Sequence, residues 1–113
     1  YTTSPAYHMI EEKKDNYAAA SFAEGHYLQV EVAARTAASK QPELAEKFLK
    51  FMVSPGIQNA IPTGNWMYPV TQVTLPAGFD TLVKPQTTLS FTPQQVASER
   101  QTWISAWQRA VSR

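Results

Sequence analysis

None of the 113 residues is a cysteine. Disulfides, thiolate nucleophiles and cysteine metal sites are therefore excluded within the chain, which suits either the cytosol or a periplasm where no bridge is needed. An excess of one charge is also missing. Ten Lys/Arg against nine Asp/Glu leave a net charge of +1, so no basic stripe favours nucleic acid and no acidic block forms a tail. Glycine is scarce, at four residues, which speaks against a phosphate cradle of bare backbone. No G-x-S-x-G, G-x-x-x-x-G-K or G-x-G-x-x-G is present. His8 and His26 are isolated, without metal-ligand spacing, and are expected on the surface or in structural hydrogen bonds. Glu11 and Glu12 are helix neighbours pointing about 100° apart, so they cannot flank a substrate as an acid pair. The apolar runs fall far short of the ~20 residues of a spanning helix. No charged start followed by an apolar stretch marks a signal peptide. An enzyme has nothing specific to stand on here.

What is present is ordinary for a globular chain of one domain's length: 43% hydrophobic and 17% charged residues. The opening Tyr1-Thr-Thr-Ser-Pro5, with no initiator methionine, reads as a sequence cut in mid-flow, a fragment of something longer. Ser4-Pro5 is a helix-start signature, with Ser4 as N-cap and Pro5 in the first turn. A short helix is expected from Ala6 to Lys14. Its start, with the hydroxyls of Thr2, Thr3 and Ser4, either holds an anion or is a plain cap.

Tyr17–Phe22 is expected as a short strand. His26–Thr36 alternates with period two and is the clearest strand expectation. A helix begins at Lys40-Gln-Pro-Glu43. Leu44, Ala45, Phe48, Leu49 and Met52 form its apolar stripe, with Phe48 and Met52 expected in the core. Glu43–Lys47 and Glu46–Lys50 are spaced i,i+4 in the favourable order. Ser54-Pro55 opens a second helix, about Pro55–Ala60, which Pro62 and Gly64 should end. Val70–Thr74 is expected extended or irregular, Leu75–Gly78 a turn, Phe79–Val83 a helical turn and Lys84–Leu89 a loop. Thr92-Pro93 opens the last helix. Its face of Val96, Trp103, Ile104, Trp107, Ala110 and Val111 is expected to be core or a docking surface.

Ile61-Pro-Thr-Gly-Asn-Trp-Met-Tyr-Pro-Val70 is the centre of this organisation. Trp66 and Tyr68 lie on a segment braced by proline and too irregular to bury both rings in a helix stripe. Such rings either plug the core beneath the loop or wall a pocket for a planar ligand.

Three stretches carry a resemblance: Tyr1-Thr-Thr-Ser-Pro-Ala-Tyr-His8, Gly25-His-Tyr-Leu-Gln-Val-Glu-Val-Ala33, and Phe51-Met-Val-Ser-Pro55 with Asn59-Ala-Ile-Pro-Thr-Gly-Asn-Trp-Met-Tyr-Pro69. Together they resemble the C-terminal third of the bacterial thiamine-binding periplasmic proteins, the solute receptors of thiamine ABC importers. The resemblance implies an α/β chain that is part of a two-lobe periplasmic-binding-protein (type II) fold. Residues 1–25 would be a remnant of the second lobe, 26–36 a crossing strand, and 37–113 the helices and loops of the C-terminal portion. It also implies ligand contacts at Tyr1, Thr2, Thr3, Ser4, Tyr7 and Trp66, thiamine or its phosphate esters as ligand, no cofactor, a membrane permease as partner, and a periplasmic location. Thiamine's cationic thiazolium and flat aminopyrimidine suit aromatic rings. Further contacts, including an acid to balance the cation, would lie N-terminal to Tyr1. Strands deprived of partners would then pair with another chain, a swapped copy or the missing part. Two alternatives share the fold. One is a thiamine-degrading enzyme, whose cysteine nucleophile would lie outside this chain. The other is a ferric-ion receptor, disfavoured by the lack of a Tyr-Tyr pair. A helical module docking through Trp103 and Trp107 is a third reading.

Overall fold

A computed structural model describes residues 1–112. In chain order it has α1 (Ser4–Ile10), β1 (His26–Tyr27), α2 (Pro42–Met52), α3 (Pro55–Gly64), β2 (Thr88–Leu89) and α4 (Pro93–Val111). All four helices carry proline in the first turn, where its missing N–H would be unpaired in any case. Only α4 adds a full capping box. The Thr92 hydroxyl accepts from the Gln95 N–H at 3.2 Å, and the Gln95 side chain accepts from the Thr92 N–H at 2.9 Å.

Several local expectations are corrected. The N-cap of α1 is Thr3, not Ser4, and its side chain makes no capping bond. The helix stops at Ile10 rather than Lys14, because Lys13 turns left-handed (φ 56°) and the Lys14 N–H returns to the His8 carbonyl at 2.9 Å. α3 runs through Pro62 to Gly64. Pro62 forfeits one bond near the helix end, but its ring is fully buried, and burial offsets that loss. Glu43 and Glu46 do not pair with Lys47 and Lys50; Glu46 instead lies 3.8 Å from Arg35. Pairs this exposed gain too little to hold two long side chains in place.

The sheet is smaller than its pattern predicts. Tyr17–Phe22 is not a strand, and of His26–Thr36 only His26–Tyr27 is paired, in parallel with Thr88–Leu89. β2 falls in a segment expected as loop. His26 N–H donates to Thr87 O at 3.0 Å and Leu28 N–H to Leu89 O at 3.1 Å. Gly25 is needed at the entrance, since its φ is +117° and a Cβ there would stand 2.9 Å from the Thr87 carbonyl. Beyond Leu28 the alternating residues run on without a partner strand, and Val30 and Val32 face solvent.

Among the described residues the buried apolar core is Ala6, Phe79 and Leu82, with Met9, Ile10 and Trp66 packed against it. It seals the inner face of α1 against the turn at 79–82. The core expected of α2 is not formed, and of the two alternatives for the face of α4 the core is not the one seen: Phe48 is 56% and Trp107 66% exposed, and neither helix buries a residue. The accessible surface is 9103 Å², against about 6,200 Å² for a compact monomer of this length. The radius of gyration is 17.7 Å, against about 13 Å. Among the described residues, α2 meets α3 and Phe91 lies 4.9 Å from Trp103, but these contacts leave most of both amphipathic faces uncovered.

Candidate functional site

The hydroxyl-rich start and the tryptophan loop meet at α1. Ser4 N–H donates to the Tyr1 carbonyl at 3.2 Å and Ala6 N–H to the Thr3 carbonyl at 3.1 Å, so residues 1–4 form a turn that rolls into the helix. Ala6 points into the core while Tyr7, the next residue, points out; successive helix positions diverge by about 100°. Tyr7 is 40% exposed. Its ring lies 5.2 Å from that of Trp66, at an interplanar angle of 88°. This edge-to-face arrangement sets the positive rim of one ring against the negative face of the other. The two aromatics make a corner with two walls.

Trp66 follows the C-cap residue of α3, Asn65, and has φ +55°. Helices often end with a left-handed residue at this position, but it is normally glycine. A bulky aromatic there costs roughly 1–2 kcal/mol per residue. The surroundings hold it in place. One side of the indole packs on the core. The Asn65 Nδ2 donates to Glu31 Oε2 at 2.9 Å. Gln58, almost fully buried, donates from Nε2 to the Met52 carbonyl at 2.7 Å and accepts from the Val70 N–H at 2.8 Å. That side chain ties the end of α2 to the far end of the tryptophan loop. Tyr68 packs edge-on against Phe79 at 5.7 Å, and burial raises its phenol pKa above the ordinary value.

Tyr1 is 75% exposed, and Thr2 and Ser4 are half-buried. Thr3 is buried, and its hydroxyl has neither accessible surface nor a hydrogen-bond partner. The structure thus brings Tyr7 and Trp66 into contact and strings Tyr1, Thr2 and Ser4 along the start of the same helix. It turns the Thr3 hydroxyl inward. On α1, His8 stacks on Tyr17 at 3.8 Å and contacts Glu12 through Nδ1 at 2.9 Å. Hydrogen bonds from His8 and then Lys14 lower the Glu12 pKa. Among the described residues no group of three or more His, Cys, Asp or Glu is placed to hold a metal ion, and no helix is long and apolar enough to cross a membrane. Glu31, Asn65 and Gln58 were not singled out from sequence. A hydrogen bond between residues as distant in the chain as Glu31 and Asn65 leaves no periodic trace.

No protein-family model matches the chain. Its whole length aligns at 84% identity with 35% of a thiamine-binding periplasmic protein of Salmonella typhimurium, and at 81% with 35% of its Escherichia coli namesake. The chain is similar to about a third of a thiamine-binding periplasmic protein. A solved structure described as a periplasmic thiamin binding protein superposes on all of this chain with a TM-score of 0.84, at 81% identity, over 36% of that structure. The mixed helix-and-strand arrangement described above is therefore one found within that protein. The chain spans only about a third of the length of these relatives.

Proposed function

We propose that this chain forms part of the solute receptor of an ABC importer, and that its aromatic corner grips thiamine or a thiamine phosphate. Three observations support the reading. The relatives are named for thiamine binding over the whole of this sequence. Tyr7 and Trp66 meet at 5.2 Å. Trp66 occupies a left-handed conformation, and strain of this kind concentrates at ligand clamps. The contact between Tyr7 and Trp66 carries the proposal.

The chemistry follows from the two walls. A flat aminopyrimidine stacks on one ring face. A thiazolium cation placed against an aromatic face gains about 0.5–2 kcal/mol. Tyr1, Thr2 and Ser4 offer hydroxyls to the hydroxyethyl end or its phosphate. Thr3 contributes through its backbone, which carries the turn, because its hydroxyl points inward.

The reading extends to a two-lobe type II fold, with residues 1–25 in the second lobe, 26–36 crossing between lobes and 37–113 in the C-terminal portion. The unpaired run beyond Leu28 and the bare faces of α2 and α4 support it, since an exposed surface about 2,900 Å² above that of a compact monomer needs further protein to cover it. The receptor would work in the periplasm and deliver its ligand to a membrane permease.

The test is calorimetric titration of thiamine into the full-length protein carrying these residues, alongside Tyr7→Ala and Trp66→Ala. Saturable one-site binding, weakened about tenfold or more in each variant, is expected, with thiamine recovered intact afterwards. Undiminished binding in both variants would overturn the site. Consumption of thiamine would turn the reading towards a degrading enzyme.

A further inference from the structure

The strained tryptophan needs a restraint, and the chain supplies one from a distance. Asn65 caps α3 with φ −128° and ψ −3°, and the next residue is Trp66 at φ +55°. The Asn65 backbone N–H is engaged by the Ile61 carbonyl at 2.9 Å. Its side-chain amide donates to Glu31 Oε2, also at 2.9 Å. The other carboxylate oxygen of Glu31 accepts from Gln29 Nε2 at 3.4 Å. That contact places the Gln29 and Glu31 side chains together in the segment that follows β1. The segment passing α3 thus presents an oriented carboxylate to the residue that sets the direction of the tryptophan.

We propose that Glu31 is a positioning residue for the ligand site: through Asn65 it fixes the C-terminal cap of α3 and so holds Trp66 left-handed, with its indole against Tyr7. The inference rests on the thiamine-site reading above and adds to it a residue that touches no ligand. A charge-assisted hydrogen bond is stronger than a neutral one, and its loss would release the cap. The indole could then leave the Tyr7 edge, and the preorganised corner would have to be reassembled whenever ligand binds.

The experiment uses the full-length protein, with thiamine as probe, calorimetric affinity as the main readout and the urea unfolding midpoint as control. Glu31→Ala should weaken thiamine about tenfold with the midpoint unchanged, because both partners lie on the surface. Glu31→Gln keeps an acceptor for Asn65 but loses the charge assistance, so its affinity should fall between those of the parent and Glu31→Ala. Asn65→Asp removes the donor and sets two carboxylates together, so it should weaken binding at least as much as Glu31→Ala. Combining Glu31→Gln with Asn65→Asp restores a donor–acceptor pair in the reverse sense and should recover most of the affinity. Quenching of tryptophan fluorescence by thiamine should follow the same order.

Equal loss in Glu31→Gln and Glu31→Ala would overturn the proposal, since an acceptor kept for Asn65 would then contribute nothing. Failure of the double variant to recover would overturn it as well. Trp66→Ala separates the two levels. If it weakens binding while Glu31→Ala does not, only the positioning role falls. If Trp66→Ala is itself silent, the tryptophan's part in the site falls, and the positioning role with it.

Discussion

Replacing Trp66 by alanine and by glycine separates what the indole contributes from what its backbone costs. The residue stands at φ +55° with one side on the cluster of Ala6, Phe79 and Leu82. Removing the indole forfeits that packing, about 3 kcal/mol at the low end for a partly buried tryptophan. Alanine keeps the left-handed penalty of roughly 1–2 kcal/mol. Glycine escapes it but loses about 0.5–1 kcal/mol through its freer unfolded chain. Glycine at position 66 should therefore give a protein about 0.5–1 kcal/mol more stable than alanine there, both lying below the parent. Both lack the ring, so both should bind thiamine about tenfold more weakly, the middle of the range expected of one cation–π contact. Urea unfolding and calorimetry on the full-length protein measure the two quantities. A more stable alanine variant would refute the strain argument, and parental affinity in either variant would refute the role of the ring.

Other outcomes follow from the same geometry. Thr3→Val removes a buried hydroxyl that has no partner, so it should raise stability by about 1 kcal/mol and leave thiamine affinity within about twofold; a marked loss of affinity would mean that the hydroxyl meets ligand. Tyr68, whose phenol pKa is raised by burial, should titrate above the ordinary tyrosine value in an ultraviolet difference titration, and Tyr68→Phe should delete that step. Since the raised group is neutral when protonated, its stabilising contribution is complete below the ordinary tyrosine pKa of about 10 and is lost as pH rises through the folded value. Made alone, the 113-residue chain should bind thiamine weakly or not at all and should self-associate as concentration rises; a monodisperse monomer in concentrated solution would contradict this.

The legible parts of the fold were those governed by local chemistry. Polar-residue-then-proline pairs marked the starts of α1, α3 and α4 to within a residue, and the stripe of α2 marked its length. What escaped depends on partners. The alternation of His26–Thr36 encodes two faces but says nothing of a neighbouring strand, and only His26 and Tyr27 find one. Phe48, Met52, Trp103 and Trp107 have the spacing of core residues, yet Phe48 and Trp107 lie mostly open, because spacing marks an apolar face without supplying the partner that would cover it. Pro62 looked like a stop and is a buried part of α3. At the site, hydroxyls and aromatics in suggestive stretches were visible, and the resemblance grouped them. The meeting of Tyr7 with Trp66 required coordinates, as did the left-handed backbone and the tie to Glu31.

The most direct measurement is a crystal structure of the full-length protein with thiamine bound. The account predicts the vitamin's rings lodged against Trp66 and Tyr7, with Tyr1, Thr2 or Ser4 within hydrogen-bond reach of the hydroxyethyl end. Thiamine seated elsewhere, with the Trp66 indole touching only protein, would contradict it.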